Sequence, residues 1–452
     1  MKQVDAAVIG GGILGCFAAR SLMRWQASAV LIEQAEDVCT GITRANTAIV
    51  YAGYDNRVGS LKARMTVRGN REFQQLCAEL EVPFQRCGSL MVSSGPRAER
   101  VLQKKLAHGM ENGVPDLRLI SREEAREMEP MLSGDITAAL HAPTTGTVNP
   151  WALGIAAWEN ARRNGCDYLG NTRVLNIHKE KTGYVIETDG ETVLCKAVLN
   201  CAGMEADRIQ ELLFPPSVRL FCDGADFLIL DKLAPQPRHI LFQEPEEKGK
   251  GITAVPTVEG NLLLGPSQRP LSDEPWATTR EGLAFLRDRA RQLLPEVALD
   301  QVIRSFGSVR PNPHRVVLRE GEYVPDGTSI GSFVIENPAP GFYSLIGIKT
   351  PGLTCADQLG RYLAEQTAQY LEARPNPGFD PHRAAIRKTE DPDILCQCEG
   401  ITRSEILEAI RRGAVTVDGV KRRVGSGMGR CQGSRCSFAI EGLLEETGHG
   451  TL

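Results

Sequence analysis

The 452-residue sequence has no apolar run that approaches the ~18–20 residues needed to cross a bilayer, so a membrane-spanning helix is not expected. It also lacks an excess of either charge. The 52 Lys and Arg side chains stand against 56 Asp and Glu, and a net charge of -4 disfavours nucleic-acid binding. Internal repeats and low-complexity tracts are absent as well. These absences leave a globular protein long enough for two or three domains.

The cysteine count excludes a further class. The chain has 13 cysteines, an odd number scattered along the sequence, which does not suit a secreted disulfide framework. The first predicted strand follows the initial Met almost at once, so neither a signal peptide nor a transit peptide is expected. We therefore expect a cytoplasmic protein. Four of the cysteines stand apart near the C-terminal end of the chain.

What the sequence does contain is a strand, a helix and a second strand in succession within residues 6–33. Between the first strand and the helix, three glycines follow the spacing G-x-G-x-x-G: Gly10, Gly12 and Gly15. The first permits a tight turn, the second lets the backbone approach a pyrophosphate, and the third allows close packing of helix on strand. The pattern predicts dinucleotide binding, and a glycine-rich turn in an ordinary α/β core is the alternative.

Two further features favour a bound dinucleotide. The predicted helix after Gly15 presents free N–H groups and the positive end of its dipole to a phosphate. Glu33 ends the second strand, at the distance along the chain where an acid accepts hydrogen bonds from an adenosine ribose. A second glycine-rich turn, residues 347–354, precedes another predicted helix and offers the same kind of close backbone approach.

Motifs across nearly the whole chain resemble the FAD-dependent glycine-oxidase-like superfamily, in particular its glycerol-3-phosphate dehydrogenase and L-2-hydroxyglutarate dehydrogenase branch. Besides the fingerprint, they are ANTAIVYAGYD (45–55), GSLKAR (59–64), RCGSLMV (86–92), VLNCAGMEAD (198–207), GNLLLGP (260–266) and GIKTPGLT (347–354). The resemblance implies FAD rather than NAD. It implies that FAD contacts residues spread over the chain: Gly10, Gly12, Ile13, Leu14, Gly15, Glu33, Gln34, Thr43, Ala45, Asn46, Val174, Ala202, Gly203, Gly347, Gly352, Leu353 and Thr354.

The resemblance also implies an α/β architecture. A Rossmann-like FAD-binding domain carries an inserted mixed-sheet substrate domain, and a small C-terminal α+β domain with cysteine ligands follows. The expected boundaries are 1–80, 144–213 and 326–374 for the FAD-binding domain, 81–143 and 214–325 for the substrate domain, 375–381 for a Pro-rich linker, and 382–452 for the tail. The linker predicts that the tail is a separable module.

The resemblance implies roles for two cationic side chains. Arg310, in SFGSVRPNP, matches the arginine that holds a substrate carboxylate or phosphate in similar enzymes, and its planar guanidinium suits an oxyanion. The alternative is a surface arginine beside Pro311. Lys349 precedes Gly352, where a lysine could polarise the substrate or stabilise the reduced flavin anion; the alternative is a solvated loop lysine.

One position departs from the family. Relatives commonly have IHAGY or VHAGY where this chain has VYAGY, so Tyr51 replaces a histidine that is a candidate base and, in distant relatives, a covalent link to FAD. A phenol has an unperturbed pKa near ~10 and is a poor base at neutral pH. The replacement argues for non-covalent FAD and leaves Tyr51 to hydrogen-bond the substrate. Tyr54 and His239 are weaker candidates, for which a packed or surface side chain is the plain alternative.

The C-terminal cysteines form a C-x-C pair, Cys396 and Cys398, and a C-x-x-x-x-C pair, Cys431 and Cys436, with a capped helix predicted at residues 404–412 between them. Four thiolates in two close pairs suit a [2Fe–2S] cluster or a structural zinc ion. Zinc ribbons usually use C-x-x-C, which favours the cluster. The run MGRCQG resembles the bacterioferritin-associated-ferredoxin-like [2Fe–2S] domain. The nine remaining cysteines are expected to be buried small hydrophobes.

Together these features predict an FAD-dependent dehydrogenase subunit that oxidises a small anionic 2-hydroxy acid or polyol phosphate by hydride transfer to flavin. The cluster would pass electrons to a protein acceptor, or to a companion flavoprotein or iron–sulfur subunit through which the chain could associate peripherally with a membrane. An amine- or opine-oxidising subunit shares the fold and the cluster and is the first alternative. A catalytically idle electron-transfer subunit is the second, and Tyr51 is its best support.

Overall fold

The computed structural model describes residues 1–246 and 251–449. Within them the helices, in chain order, are α1 (Ile13–Leu22), α2 (Leu61–Glu79), α3 (Pro96–Glu111), α4 (Arg122–Met128), α5 (Pro150–Arg163), α6 (Ala206–Glu211), α7 (Arg280–Leu293), α8 (Ala356–Leu371), α9 (Arg403–Arg411), α10 (Val417–Val424) and α11 (Ser437–Glu446). Three short 3-10 helices are Ile42–Arg44, Gly203–Glu205 and Leu299–Gln301.

The strands of the same residues are β1 (Lys2–Ile9), β2 (Ala29–Ile32), β3 (Ile49–Val50), β4 (Phe84–Gln85), β5 (Ser89–Ser93), β6 (Arg118–Ser121), β7 (Ala138–Ala142), β8 (Gly146–Val148), β9 (Asp167–Leu169), β10 (Val174–Glu180), β11 (Gly183–Thr188), β12 (Val193–Asn200), β13 (Val218–Leu230), β14 (Ile240–Gln243), β15 (Thr253–Pro256), β16 (Leu262–Gly265), β17 (Arg269–Pro270), β18 (Val302–Arg319), β19 (Glu322–Ser329), β20 (Val334–Ala339), β21 (Phe342–Ile346), β22 (Ile394–Cys396) and β23 (Ile401–Thr402).

The first sheet has eight strands in the order β10-β11-β12-β1-β2-β9, with β21 beside β12 and β20 beside β21. Strands β9, β2, β1, β12 and β21 are parallel, and β10, β11 and β20 add antiparallel edges. The chain leaves β1 on one side for β2 and returns on the other side as β12. Ligands in such sheets bind outside the carboxyl ends of the strands at this switch point. Ile9 pairs with Ile32 and with Asn200, so Gly10, Glu33 and Cys201 emerge together at that edge.

Helices α1, α5 and α8 pack on this sheet through buried apolar side chains, among them Phe17, Trp158 and Leu359. The second strand predicted to end at Glu33 is confirmed as β2. The helix predicted after Gly15 begins earlier, at Ile13, because Gly12 already occupies its N-cap, and it ends at Leu22.

The second sheet has ten strands in the order β19-β18-β13-β16-β15-β14-β5-β7-β6, with β17 also paired to β13. Only β14 and β5 run parallel among its pairs, so the sheet is mixed, as the predicted fold class requires. Its longest pairing joins β13 to β18, from Val218 opposite Arg315 to Leu230 opposite Val302. Strand β18 of this ladder contacts the tail through Arg304, which donates a hydrogen bond to Gln432.

The tail comprises the hairpin β22–β23 and helices α9, α10 and α11. The predicted helix 404–412 is observed as Arg403–Arg411, and Thr402 and Glu405 close a capping box at its start. The segment between α9 and Cys431, in which no helix was predicted, forms α10. The tail core is small and consists of short aliphatic side chains such as Ile406, Ala409 and Leu444.

The predicted linker connects the two parts of the chain but is not a free tether. Pro375 forms a β-bridge with Trp25. The carbonyl of Asp380 accepts hydrogen bonds from the side-chain amides of Asn160, at 3.0 Å, and Asn164, at 2.9 Å. The linker is therefore attached to the part of the chain that forms the first sheet and its helices.

In the described residues, no helix combines the length and the hydropathy needed to span a membrane.

Candidate cofactor and substrate site

A cavity of about 870 Å³ opens at the switch point of the first sheet and extends to β13 and β18. Its lining brings together residues that are far apart in sequence. Of the predicted cofactor contacts it contains Gly10, Gly12, Ile13, Leu14, Glu33, Gln34, Thr43, Ala45, Asn46, Ala202, Gly203, Gly352 and Leu353. The three predicted catalytic residues, Tyr51, Arg310 and Lys349, line the same cavity.

The glycine-rich turn is shaped by close backbone approaches. Gly10 has φ +99°, and a Cβ there would stand 2.6 Å from the carbonyl oxygen of Cys201. Gly15 lies behind the cavity wall, where a Cβ would collide with the carbonyl oxygen of Gly10. Gly15 thus serves the packing of α1 on β1, in keeping with the third glycine of the fingerprint, and its direct contact with FAD stays a prediction.

Glu33 is held in place by the turn that it faces. Its carboxylate accepts hydrogen bonds from the backbone N–H of Gly11, at 2.5 Å, and of Ala35, at 2.8 Å. Burial raises the pKa of the Glu33 carboxyl, and these two hydrogen bonds oppose the rise. Thr43 accepts from the N–H of Ile13 at 3.0 Å, so the loop after β2 also closes over the start of α1. The donors, the acid and the side-chain-free turn fit the adenosine diphosphate part of FAD.

Besides Gly15, three predicted cofactor residues lie outside the cavity lining. Thr354 is buried, and its hydroxyl accepts from the N–H of Tyr51 at 3.0 Å. Gly347 has φ +64°, and a Cβ there would stand 2.7 Å from Pro313. Val174 begins edge strand β10. The first two support the residues that line the cavity, and a direct contact of all three with FAD stays a prediction.

Tyr51 lines the cavity close to the substrate sheet. Its ring centroid is 6.0 Å from that of Phe242. Burial raises the pKa of the Tyr51 phenol, and the neighbouring Asp55 adds to the rise, while hydrogen bonds to Thr47 and Thr350 oppose it. A phenol with a raised pKa stays protonated at neutral pH and acts as a hydrogen-bond donor.

Arg310 projects into the cavity from β18. It stands directly opposite Asp223 of β13, and Asn312, two residues further on, points to the same face. In the part of the chain that the structure describes, the Arg310 guanidinium forms no ion pair with a carboxylate. An arginine that lines a cavity without an acidic partner is available to an anion from outside.

Lys349 approaches from the loop after β21 and completes a cationic corner. Its ammonium donates a hydrogen bond to the Oδ1 atom of Asn312 at 2.6 Å. Burial lowers the pKa of Lys349, and the positive charges of Arg310 and Lys62 lower it further, whereas Asp223 raises it. The corner therefore has a surplus of positive charge.

Sequence analysis missed Asp223 and Asn312, both of which line the cavity. Asn312 could have been found, because residues i and i+2 of a strand share a face and Arg310 was already singled out. Asp223 belongs to a strand far away in sequence, and only the observed register places it opposite Arg310.

The two weaker candidates have plain structural roles. Tyr54 is packed in the core of the substrate sheet, and burial raises its pKa well above the ordinary value. His239 lies outside the cavity, and its Nδ1 atom is 2.6 Å from the carboxylate of Glu129.

The four tail cysteines lie in two contacts, Cys396 with Cys436 and Cys398 with Cys431. The first pair is buried and the second is half-buried. Across residues 1–246 and 251–449, no three or more His, Cys, Asp or Glu side chains converge with the geometry of a metal site. The thiols thus form two pairs, and Cys436 is also close enough to Cys431 of the other pair for their charges to interact.

A glycine-rich loop approaches both pairs closely. Gly427 donates its N–H to the Cys396 sulfur at 3.5 Å, and a Cβ at Gly429 would stand 2.6 Å from the Cβ of Cys398. The buried hydroxyl of Ser426 has no hydrogen-bond partner among the described residues. A glycine-rich loop, an unpartnered hydroxyl and four thiols suit an anionic iron–sulfur cluster, whose sulfurs accept backbone hydrogen bonds.

Comparisons with known proteins agree with this geometry. Residues 5–366 match the family model for FAD dependent oxidoreductases, and residues 394–446 match the BFD-like [2Fe-2S] binding domain. The glycerol 3-phosphate dehydrogenase of Caloramator mitchellensis is 38% identical over 470 residues, which cover 98% of this chain and 94% of that protein. The mitochondrial L-2-hydroxyglutarate dehydrogenase of Bos taurus is 29% identical over 59% of this chain and 61% of that protein.

Among solved structures, dithionite-reduced L-alpha-glycerophosphate oxidase from Mycoplasma pneumoniae with FAD bound superposes with a TM-score of 0.75. The identity is 22%, and the match covers 85% of this chain and 99% of that chain. At this identity the likeness establishes the fold.

Proposed function

The chain belongs to the FAD-dependent oxidoreductase family, and from that premise we propose that it is a dehydrogenase subunit for a polyol phosphate of the glycerol 3-phosphate type. The family match covers residues 5–366 and confirms the predicted family, fold class and enzyme class. One observation carries the choice of substrate: Arg310 and Lys349 line the cavity that holds the dinucleotide fingerprint, and neither forms an ion pair with a carboxylate of the described chain.

Two cations in one corner suit a phosphate dianion better than a single carboxylate. A planar guanidinium binds phosphate oxygens in pairs, and an ammonium adds a point charge. The Caloramator mitchellensis relative, similar along almost its whole length, is a glycerol 3-phosphate dehydrogenase, which supports the same choice. A 2-hydroxy acid such as 2-hydroxyglutarate is the second candidate, supported by the Bos taurus relative.

FAD, when bound, supplies the hydride acceptor for a carbon that bears a hydroxyl group. The side chains of this chain bind and orient the substrate. Arg310 and Lys349 hold its anion, and the fixed anion in turn fixes the distance of the reacting carbon from the cavity wall. Tyr51 donates a hydrogen bond and does not act as a base, because its pKa is raised.

FAD is bound without a covalent link, since Tyr51 replaces the histidine that could form one. Acid precipitation should therefore release a yellow supernatant. Flavin that stays with the pellet and its proteolytic peptides would contradict this part of the proposal.

The tail thiolates Cys396, Cys398, Cys431 and Cys436 would hold one [2Fe–2S] cluster, which would supply one-electron transfer to a protein acceptor. The contacts of the tail support this role. Gln432, next to Cys431, accepts a hydrogen bond from Arg304 of β18 at 3.1 Å. Ser308, four residues along the same strand, lines the cavity, about 13 Å away at ~3.3 Å per residue.

The decisive experiment is an anaerobic substrate screen that follows bleaching of the flavin. We expect sn-glycerol 3-phosphate to bleach it fastest. Faster bleaching by L-2-hydroxyglutarate would select the second candidate, and bleaching by an amine or opine would select that class instead. A flavin that no substrate bleaches, in protein with full FAD content, would favour the idle electron-transfer subunit.

A separate experiment tests the tail. Anaerobically purified protein should contain about two irons per chain, as a [2Fe–2S] cluster requires. Cys431→Ser should remove the cluster absorbance, keep FAD and leave substrate-driven flavin bleaching nearly intact, while it slows transfer to the acceptor. Cys222→Ser, at a half-buried cysteine of the substrate sheet, is the matched control and should keep the iron. Stoichiometric zinc without iron would refute the electron-transfer role and leave a structural clip.

A further inference from the structure

Three side chains from three separate elements form one hydrogen-bonded chain at the cationic corner of the cavity. The Lys349 ammonium donates to Asn312 Oδ1 at 2.6 Å, and Asn312 Nδ2 donates to Asp223 Oδ2 at 3.0 Å. All three line the cavity. The chain runs from a cation at one end to a carboxylate at the other, with a neutral amide between them.

The orientation of the Asn312 amide is fixed by its two neighbours. An ammonium has only donors and a carboxylate only acceptors. The amide oxygen must therefore face Lys349 and the amide nitrogen must face Asp223, since the flipped amide would lose both hydrogen bonds. Asp223 thus determines where the oxygen that holds Lys349 is placed.

The placement of the charges has a consequence for an incoming anion. A carboxylate in direct contact with Lys349 would neutralise it and repel a phosphate. Asp223 instead stands one amide away from Lys349. On β18 its register partner is Arg310, with which it forms no ion pair in the described residues. The neutral Asn312 amide links Lys349 to Asp223 by hydrogen bonds and separates the carboxylate of Asp223 from the Lys349 ammonium.

We propose that Asn312 and Asp223 are positioning residues for the substrate anion: Asp223 orients the Asn312 amide, which holds the Lys349 ammonium in the cavity beside Arg310. The inference rests on the proposed function, because it assigns Lys349 to anion binding. Neither residue needs to touch the substrate.

The groups that face Lys349 determine how anion binding responds to pH. They are Arg310 from β18, Lys62 from α2 and Asp223 from β13, and the Tyr51 phenol is near through its hydrogen bond to Thr350. Burial, Arg310 and Lys62 lower the pKa of Lys349, and Asp223 raises it. Lys349 binds an anion while protonated, so binding weakens as the pH rises through its pKa. Removing the charge of Asp223 should move this loss to lower pH.

The test measures binding of inorganic phosphate to the oxidised, FAD-loaded enzyme by calorimetry between pH 6 and pH 10. Asp223→Asn should shift the alkaline loss of binding to lower pH. Asn312→Leu, which keeps the approximate volume but no hydrogen bond, should raise the dissociation constant at least tenfold. Glu322→Gln removes one exposed charge from the same sheet and should change neither quantity.

The exchanged pair Asp223→Asn with Asn312→Asp separates positioning from simple charge balance. It keeps the total charge and the side-chain volumes but puts the carboxylate against Lys349. The proposal expects phosphate binding to stay at least tenfold weaker than in the unmodified enzyme. Recovery of binding in the exchanged pair, an unshifted pH profile in Asp223→Asn, or an unmodified enzyme that binds no phosphate would each overturn the inference.

Turnover of sn-glycerol 3-phosphate is measured separately, so the two proposals can fail independently. Phosphate binding with the expected variant pattern, but no oxidation of any phosphate substrate, would reject the proposed function and keep the positioning role. Oxidation of sn-glycerol 3-phosphate, with phosphate binding unchanged in every variant, would support the proposed function and reject the positioning role. Flavin absorbance in each purified variant shows that it has folded around FAD.

Discussion

A comparison of two pairs of cationic side chains shows that this protein uses such pairs in opposite ways. Arg310 and Lys349 line the cavity without an ion-pair partner in the described residues. Arg422 and Arg423 of α10 are turned inward and share one carboxylate, Asp37, which follows the FAD fingerprint. The first pair is available to an external anion, whereas the second is neutralised within the fold.

The charges of Arg422 and Arg423 in the tail are neutralised by the buried carboxylate of Asp37. Arg423 binds both oxygens of Asp37, at 2.6 Å and 2.9 Å, and Arg422 binds one at 3.1 Å. The three side chains are 1%, 4% and 6% exposed for Arg423, Asp37 and Arg422. Asp37 is four residues beyond Glu33, so this contact anchors the cysteine tail to the segment that follows the dinucleotide fingerprint. The two pairs therefore differ in where the nearest carboxylate lies. Asp37 contacts both arginines of the tail, whereas Asp223 is separated from Lys349 by the Asn312 amide.

The largest expected effect comes from removing that acid. Asp37→Asn leaves two buried guanidinium groups without their carboxylate, and breaking a buried pair in this way costs ~3–5 kcal/mol. We expect the tail to open locally, so amide hydrogen exchange in α10 should accelerate by about 100-fold or more, since ~1.4 kcal/mol corresponds to a factor of ten.

Glu36→Gln is the matched control, because Glu36 is 3.7 Å from Arg422 and its side chain is 37% exposed. It should change exchange in α10 only slightly. Equal effects of Asp37→Asn and Glu36→Gln would mean that net charge attaches the tail, and not the buried contacts of Arg422 and Arg423 with Asp37.

The second effect concerns the cavity pair. Arg310→Lys keeps the charge but loses the planar fork, and the lost charged hydrogen bonds should cost ~1.5–3 kcal/mol, which raises the Michaelis constant at least tenfold. Arg315→Lys, at an exposed position of the same strand, is the control and should leave the kinetics unchanged. Unaltered kinetics of Arg310→Lys with the true substrate would return Arg310 to a surface role.

Much of the fold was accessible from local patterns. The spacing of Gly10, Gly12 and Gly15, followed by an acid at Glu33, determines a βαβ unit, and β2 lies at the predicted residues. Helix α10 was missed because VDGVKRRV has few apolar residues. The stability of α10 depends on tertiary partners, since the buried side chains of Arg422 and Arg423 both contact Asp37.

The site also contains residues that local motifs indicate and residues whose role depends on contacts between distant parts of the chain. Tyr51, Arg310 and Lys349 could be found from motifs and all reach the cavity. Asp223 could not, because its role depends on the register of β13 against β18, which no local pattern fixes. The attachment of the linker 375–381 could not be predicted either, because it depends on the side chains of Asn160 in α5 and Asn164 directly after it.

A third, smaller effect tests whether α10 must be preformed to bury its arginines. Thr416 caps the helix, and its hydroxyl accepts from the N–H of Gly419 at 3.0 Å. Thr416→Ala should destabilise α10 by ~1 kcal/mol and speed its hydrogen exchange roughly fivefold to tenfold. Thr416→Ser retains the cap and should restore the original rate. A change in α10 as large as that in Asp37→Asn would place the main anchor at the cap.

The smallest effect comes from an exposed pair, which gives the baseline for the comparison. Arg68 and Glu72 lie one turn apart on α2, and the Arg68 Nε atom is 2.9 Å from Glu72 Oε1. This distance falls within the range of 2.6 Å to 3.1 Å of the contacts that Arg422 and Arg423 make with Asp37. The Arg68 side chain is 56% exposed, so water screens the charges and competes for the hydrogen bond. Arg68→Gln should therefore lower the free energy of unfolding by no more than ~0.5 kcal/mol, measured as the shift of the urea midpoint. A loss above about 1 kcal/mol would show that distance alone ranks these ion pairs, and the distinction drawn here from burial and shared acids would fail.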